Sequence, residues 1–140
     1  MDAEAVASML RKDRAEWEVL VAVLEAHPQK SLHDPSSPRW TSRDVYAHLS
    51  RWIERSTFEL EGGSLQPLEG TDDEVNARWQ REDSGLGLGE ARERAQQAFE
   101  RRLRAIEGVP ADRWDEMLEA IARADGAEHY AGHRSYISVT

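Results

Sequence analysis

The sequence predicts an all-α protein, a four-helix bundle with one or two short extra helices. Three observations predict it. Apolar residues recur at spacings of three and four in nearly every segment between glycine and proline marks. No segment keeps the apolar–polar alternation of a half-buried strand. Four long segments carry apolar stripes of similar length joined by short connections, as bundles do.

The first helix covers about residues 2–26, with Val6, Met9, Leu10, Trp17, Leu20, Val21 and Leu24 on one stripe. Asp2 and Glu4 suit the positive end of its dipole. Pro28, Pro35 and Pro38 make residues 27–40 a loop. Thr41 with Asp44 forms a capping box that opens the second helix, and Trp40 packs on Val45 as a hydrophobic staple. That helix runs to about Leu60, where Gly62-Gly63 stops it. Its stripe is Val45, Leu49, Trp52, Ile53 and Leu60, and His48 falls on the same inward side. A short helix follows at 72–83, opened by Thr71 or Asp72. A third long helix covers about 89–107, with Ala91, Ala95, Phe99, Leu103 and Ile106 apolar, ended by Gly108 and Pro110. Residues 111–123 read as helical, with Trp114, Met117, Leu118 and Ile121 as their apolar side. Asp125 with Glu128 resembles another capping box, so a fresh helix is placed at about 126–137.

The composition bounds the function. A chain of 140 residues suits one domain, residues 1–140. No apolar run approaches the ~20 residues that span a bilayer, and the acidic, alanine-rich start is not that of a signal peptide. A net charge of −9 argues against general nucleic-acid binding. The expected setting is cytoplasmic, with neither membrane nor nucleic acid as partner. There is no cysteine, so disulfides, thiolate metal sites and a cysteine nucleophile are excluded. A transition metal would have to be held by histidine with oxygen partners.

Five histidines are present. His27 and His33 lie in or beside the proline-rich loop and are expected to be exposed. His129 and His133 are four apart and leave one face of the last helix, a spacing that can bind one metal ion. A pair of this kind also arises by coincidence on a surface, and an inward histidine such as His48 is often satisfied by a hydrogen bond instead. Three histidines on the inner faces of two helices nevertheless make a bundle-type metal site with an open fourth position. The zincin glutamate is missing, since position 130 is Tyr130. Gly126 and Gly132 flank or interrupt the last helix, which a tight contact or a nearby ligand would explain. Gly85, Gly87 and Gly89 follow no strand, so they are not a nucleotide loop. Arg101, Arg102 and Arg104 read as a solvated helix face.

The stretch from Trp40-Thr41-Ser42-Arg43-Asp44 through His48-Leu49 resembles the second-helix motif of the DinB/YfiT-like superfamily. Glu128-His129-Tyr130-Ala131-Gly132-His133, followed by Ile137, resembles the HYxxH segment of its ClbS/DfsB branch, as do Asn76, Trp79 and the run from Leu88 to Val109. The resemblance implies an up-down-down-up four-helix bundle, dimeric, carrying one divalent metal, zinc or nickel, on His48, His129 and His133. It also implies a thiol-dependent transferase, isomerase or hydrolase using mycothiol, bacillithiol or glutathione on a small electrophilic molecule. Two other readings follow. One is a metal-free ClbS-like hydrolase or sequestering protein that gives resistance to a DNA-damaging metabolite. The other is a non-catalytic, stress-related dimeric bundle. The segment from Val109 to Asp125 is shorter than that branch usually has.

Overall fold

The computed structural model describes residues 1–29 and 39–136. His33, Pro35, Pro38 and Ile137 lie outside the described residues, as does the predicted end of the last helix. The described residues form six α-helices: α1 (Ala3–Ala26), α2 (Ser42–Leu60), α3 (Asp72–Glu82), α4 (Leu88–Gly108), α5 (Glu116–Ala124) and α6 (Ala127–Tyr136), with one 3-10 turn at Ala111–Arg113. No strand occurs among the described residues.

The ends of these helices follow local chemistry. Asp2 accepts from the Ala5 amide at 2.8 Å, so it is a true cap for α1 as well as a favourable charge. The Thr41–Asp44 box opens α2 and the Thr71–Glu74 box opens α3, each a reciprocal pair of bonds. At the end of α2, Gly62 takes a φ of 99°. The Gly63 and Gly62 amides return to the carbonyls of Phe58 and Glu59 at 2.9 and 3.0 Å, which is a Schellman ending. Arg113, from the 3-10 turn, donates to the carbonyls of Leu60 and Glu59 at 2.6 and 2.7 Å, so a later segment also helps to satisfy the end of α2.

Helix directions can be read from side-chain pairs. Arg94 and Arg101 on α4 pair with Glu54 and Glu61 on α2, both at a separation of 40 residues, so α2 and α4 run parallel. Along α1, Asp13, Trp17 and Glu25 meet Arg102, Gln96 and Arg92, so partners fall as α1 rises and the two helices are antiparallel. Asp13 and Glu16 meet Ala127 and Arg134, so α6 runs with α1. The order is up, down, down, up, as expected, with α3 and α5 as the two short extra helices.

One core cluster joins Leu20, Val45, Leu49, Ile53, Phe99 and Tyr130, with Trp17 stacked on Phe99 at 4.5 Å. Ala91 and Ala95, both fully buried, let α2 and α4 approach closely. A second cluster gathers Met9, Leu60, Ile106, Leu118 and Ala122.

Four expectations are corrected. The segment 111–123 is not one helix: Pro110 and Asp115 divide it, and Asp115 caps α5 by accepting from Leu118 at 2.7 Å. Met117 is not on an inward side, being 73% exposed. Arg102 is not on a solvated face, because it is 0% exposed and is paired with Asp13, itself 2% exposed. Arg101 and Arg104 are exposed as expected. His27 closes α1 as its C-cap and is half-buried rather than exposed.

Candidate metal centre

The three inward histidines meet. His48, in the second turn of α2, points across the bundle at α6. His129 Nε2 lies 3.4 Å from His48 Nε2 and 3.0 Å from His133 Nε2. One nitrogen from each ring lies within 4.8 Å of the other two. Nitrogens held ~2.1 Å from one tetrahedral zinc stand roughly 3.4 Å apart, close to the 3.4 and 3.0 Å that His129 Nε2 keeps from its two neighbours.

Hydrogen bonding alone fits less well. A neutral imidazole nitrogen carries either one proton or one lone pair. His129 Nε2 faces two neighbours and can bond only one of them well. A cation among three lone pairs would satisfy all three nitrogens together. The opposite nitrogens have no hydrogen-bond partner among the described residues, although all are buried. His129 Nδ1 has the Asp125 carboxylate 3.5 Å away, one turn earlier on the chain. Metal-ligating histidines commonly present their second nitrogen to such a carboxylate.

The surroundings keep two rings uncharged. Burial, then the charges of His133 and His129, holds His48 well below the usual histidine pKa. Burial and His129 push His133 down to about 3. Neutral imidazole is the form that binds metal. Trp40 lies against the His48 ring with centroids 4.9 Å apart, so the staple residue also encloses the histidine.

These shifts fix a sign for pH dependence. A buried histidine with a lowered pKa binds fewer protons folded than unfolded between its two pKa values. Its contribution is complete above about pH 6.5, the unfolded value, and is lost as pH falls toward the folded value. Metal-free protein is therefore expected to lose stability on acidification from pH 6.5 toward 3, a window that closes at the His133 value of about 3. Urea unfolding at several pH values measures this, and His133→Leu should flatten the slope; an unchanged slope would contradict the buried neutral ring.

A cavity of about 610 Å³ opens beside the histidines. His48, Trp52, Arg55 and Glu59 line it from α2, spaced three to four residues apart along one helix face, with Ser56 beside them. Asp72 and Asn76 line it from α3, Ile121 and Arg123 from α5, Glu128 and His129 from α6. Trp52 donates to Asn76 at 2.7 Å and its ring lies 4.9 Å from Trp79, which fixes α3 against α2. Residues of the segment between Val109 and Asp125 thus form part of the rim.

Several sequence expectations change here. Asp125 does not cap α6 in a box with Glu128. It ends α5 and turns to His129. The Ala127 amide instead donates to Asp13 of α1 at 2.9 Å. Asp44 is a cap, as read. Tyr130 is fully buried with the core aromatics, and Glu128 faces the cavity. Gly126 has the tight contact anticipated, since a Cβ there would stand 2.7 Å from Arg102 Nη2 and 2.8 Å from Asp13 Oδ1. At Gly132 a Cβ would meet nothing within 4 Å, so no tight contact explains that glycine. Trp52, Arg55 and Asp125 were not singled out as site residues, although their spacings of four or seven from His48, and of four from His129, carried the signal.

Among the described residues, no helix is long and apolar enough to cross a membrane. Comparison with curated proteins and with solved structures returned no significant match. The mycothiol maleylpyruvate isomerase N-terminal domain matches residues 13–134. Spanning the bundle and all three inward histidines, that match makes this chain a member of the mycothiol maleylpyruvate isomerase N-terminal domain family, within the DinB/YfiT-like helical superfamily.

Proposed function

We propose that this chain holds one divalent metal ion, zinc or nickel, on His48, His129 and His133, and with it activates a small thiol toward an electrophilic small molecule. The convergence of three imidazole nitrogens at 3.0 and 3.4 Å, one contact more than hydrogen bonding satisfies, carries the reading. Membership of a family named for mycothiol, whose domains are often metal-binding, supports it. When bound, such an ion supplies Lewis acidity, which lowers the pKa of a thiol or water.

The chain's own residues do the rest. Burial keeps His48 and His133 unprotonated, so their lone pairs stay available. Asp125 sets a carboxylate oxygen 3.5 Å from His129 Nδ1, on the side of the ring away from the other two histidines. The cavity of about 610 Å³ is of the size that encloses a small molecule, and Trp52 supplies an apolar wall. Because the chain has no cysteine, the thiol arrives as a co-substrate. A transferase or hydrolase outcome then depends on whether thiol or water adds to the electrophile.

Elemental analysis of untagged protein purified without chelator tests the metal. About one zinc or nickel per chain is expected, one ion for one three-nitrogen site. No metal, together with no heat on titration with either ion, would sink the proposal.

One observation favours a second reading. The 3.0 Å His129–His133 contact and the neighbouring Asp125 also make an acid–base relay that needs no ion. This is the ClbS-like, metal-free hydrolase or sequestering protein acting on a DNA-damaging metabolite. Protection of cells from an alkylating agent that survives loss of metal binding would favour it over the first.

A further inference from the structure

We infer that Asp13 and Arg102 are positioning residues for the histidine centre: this buried pair fixes where α6 begins, and so where His129 and His133 point. The inference rests on the metal reading above.

The pair lies outside the cavity and ties four elements together. Asp13 of α1 uses both carboxylate oxygens. Oδ2 accepts from Arg102 Nη2 of α4 at 2.7 Å. Oδ1 accepts from the Ala127 amide, the first residue of α6, at 2.9 Å. Arg102 Nη2 also donates to the Ala122 carbonyl near the end of α5 at 2.6 Å. The turn between α5 and α6 is thereby clamped on both sides. Gly126 passes so close to both charges that a side chain there would force them to move.

Stability does not explain this arrangement. A buried ion pair is often no more stable than apolar residues of the same volume. Here Arg102 Nε and Nη1 have no hydrogen-bond partner among the described residues, which adds a cost. What the pair supplies is geometry. A carboxylate suits a helix N-terminus, and this one comes from another helix rather than from the local sequence. His129 is the third residue of α6 and His133 the seventh. A slip of one residue in the start of α6 would turn both rings by about 100°. The clamp prevents that slip.

The test is the double variant Asp13→Leu with Arg102→Met, which leaves no unpaired charge. Its affinity for zinc alone is measured by calorimetric titration well below its melting temperature. Affinity is expected to fall about 10- to 100-fold, the size of effect seen when a partner of a metal ligand is lost. Leu24→Ala, a destabilising core change at the far end of α1, should leave zinc affinity within about twofold. Hydrogen exchange of the metal-free protein is the second measurement. Amides at the start of α6 should exchange roughly tenfold faster in the double variant, with α2 and α4 unchanged. If the double variant does not fold, Gly126→Ala, which keeps both charges, is judged by the same two readouts. Zinc affinity within about twofold of wild type, with exchange at the start of α6 no faster than in wild type, overturns the inference. If wild-type protein takes up no zinc, the metal reading fails and exchange alone decides the positioning role.

Discussion

His129→Ala is expected to weaken zinc or nickel binding by more than about 100-fold, beyond what loss of an outer partner costs. His129 is the ring whose nitrogen faces both of the others, so its removal leaves two donors on separate helices. His48→Ala and His133→Ala should act in the same direction. The fold should survive His129→Ala, because that ring lies at the cavity wall and its side chain is 23% exposed. Titration calorimetry with either ion and circular dichroism of the metal-free variants measure both effects. Unchanged affinity in any one variant would remove that histidine from the ligand set.

Arg102→Met alone should destabilise the protein by about 3–5 kcal/mol, because it strands the Asp13 carboxylate in the interior. Both side chains are essentially without solvent contact. Domains of this kind have only ~5–15 kcal/mol in total, so this is among the most damaging single changes available. Adding Asp13→Leu should recover most of the loss. The remaining deficit, about 1 kcal/mol, is the missing cap on α6. Urea unfolding of wild type, both single variants and the double gives the coupling directly. A cost below about 1 kcal/mol for Arg102→Met would mean that the guanidinium reaches water.

Much of the fold was legible because its signals are local. The box at Thr41 and the cap at Thr71 lie within a few residues of the helices they open, and the stripes of α1, α2 and α4 repeat every three to four. His48 was legible for the same reason, in register with the α2 stripe, and His129 and His133 through their spacing of four on one helix. The errors came where a local pattern competed with a distant partner. Asp125 and Glu128 have capping-box spacing, yet α6 is capped by Asp13, 114 residues away. Arg102 was grouped with Arg101 and Arg104, although adjacent helical residues cannot share a face. Its spacing from Phe99 and Ile106 placed it inward, as that of Asp13 from Met9 and Trp17 did. The cavity wall beyond the helix faces of the histidines was not legible, since four helices contribute to it and no short window contains Arg55, Asp72 and Arg123 together.

The distant origin of the α6 cap also orders events during folding. Asp13, Arg102 and Ala127 come together only when loops of 89 and 114 residues have closed. Closure of such long loops is costly before it is rewarded. Hairpin-like contacts between α1 and α2, or α2 and α3, span far less chain. The final helix is thus placed late, after the first three long helices have docked. Contacts made by Asp13 should be absent from the folding transition state, so that its substitution speeds unfolding and leaves the folding rate almost untouched. The histidine cluster is correspondingly a product of completed folding, and a chain leaving the ribosome cannot assemble it until its last helix has emerged.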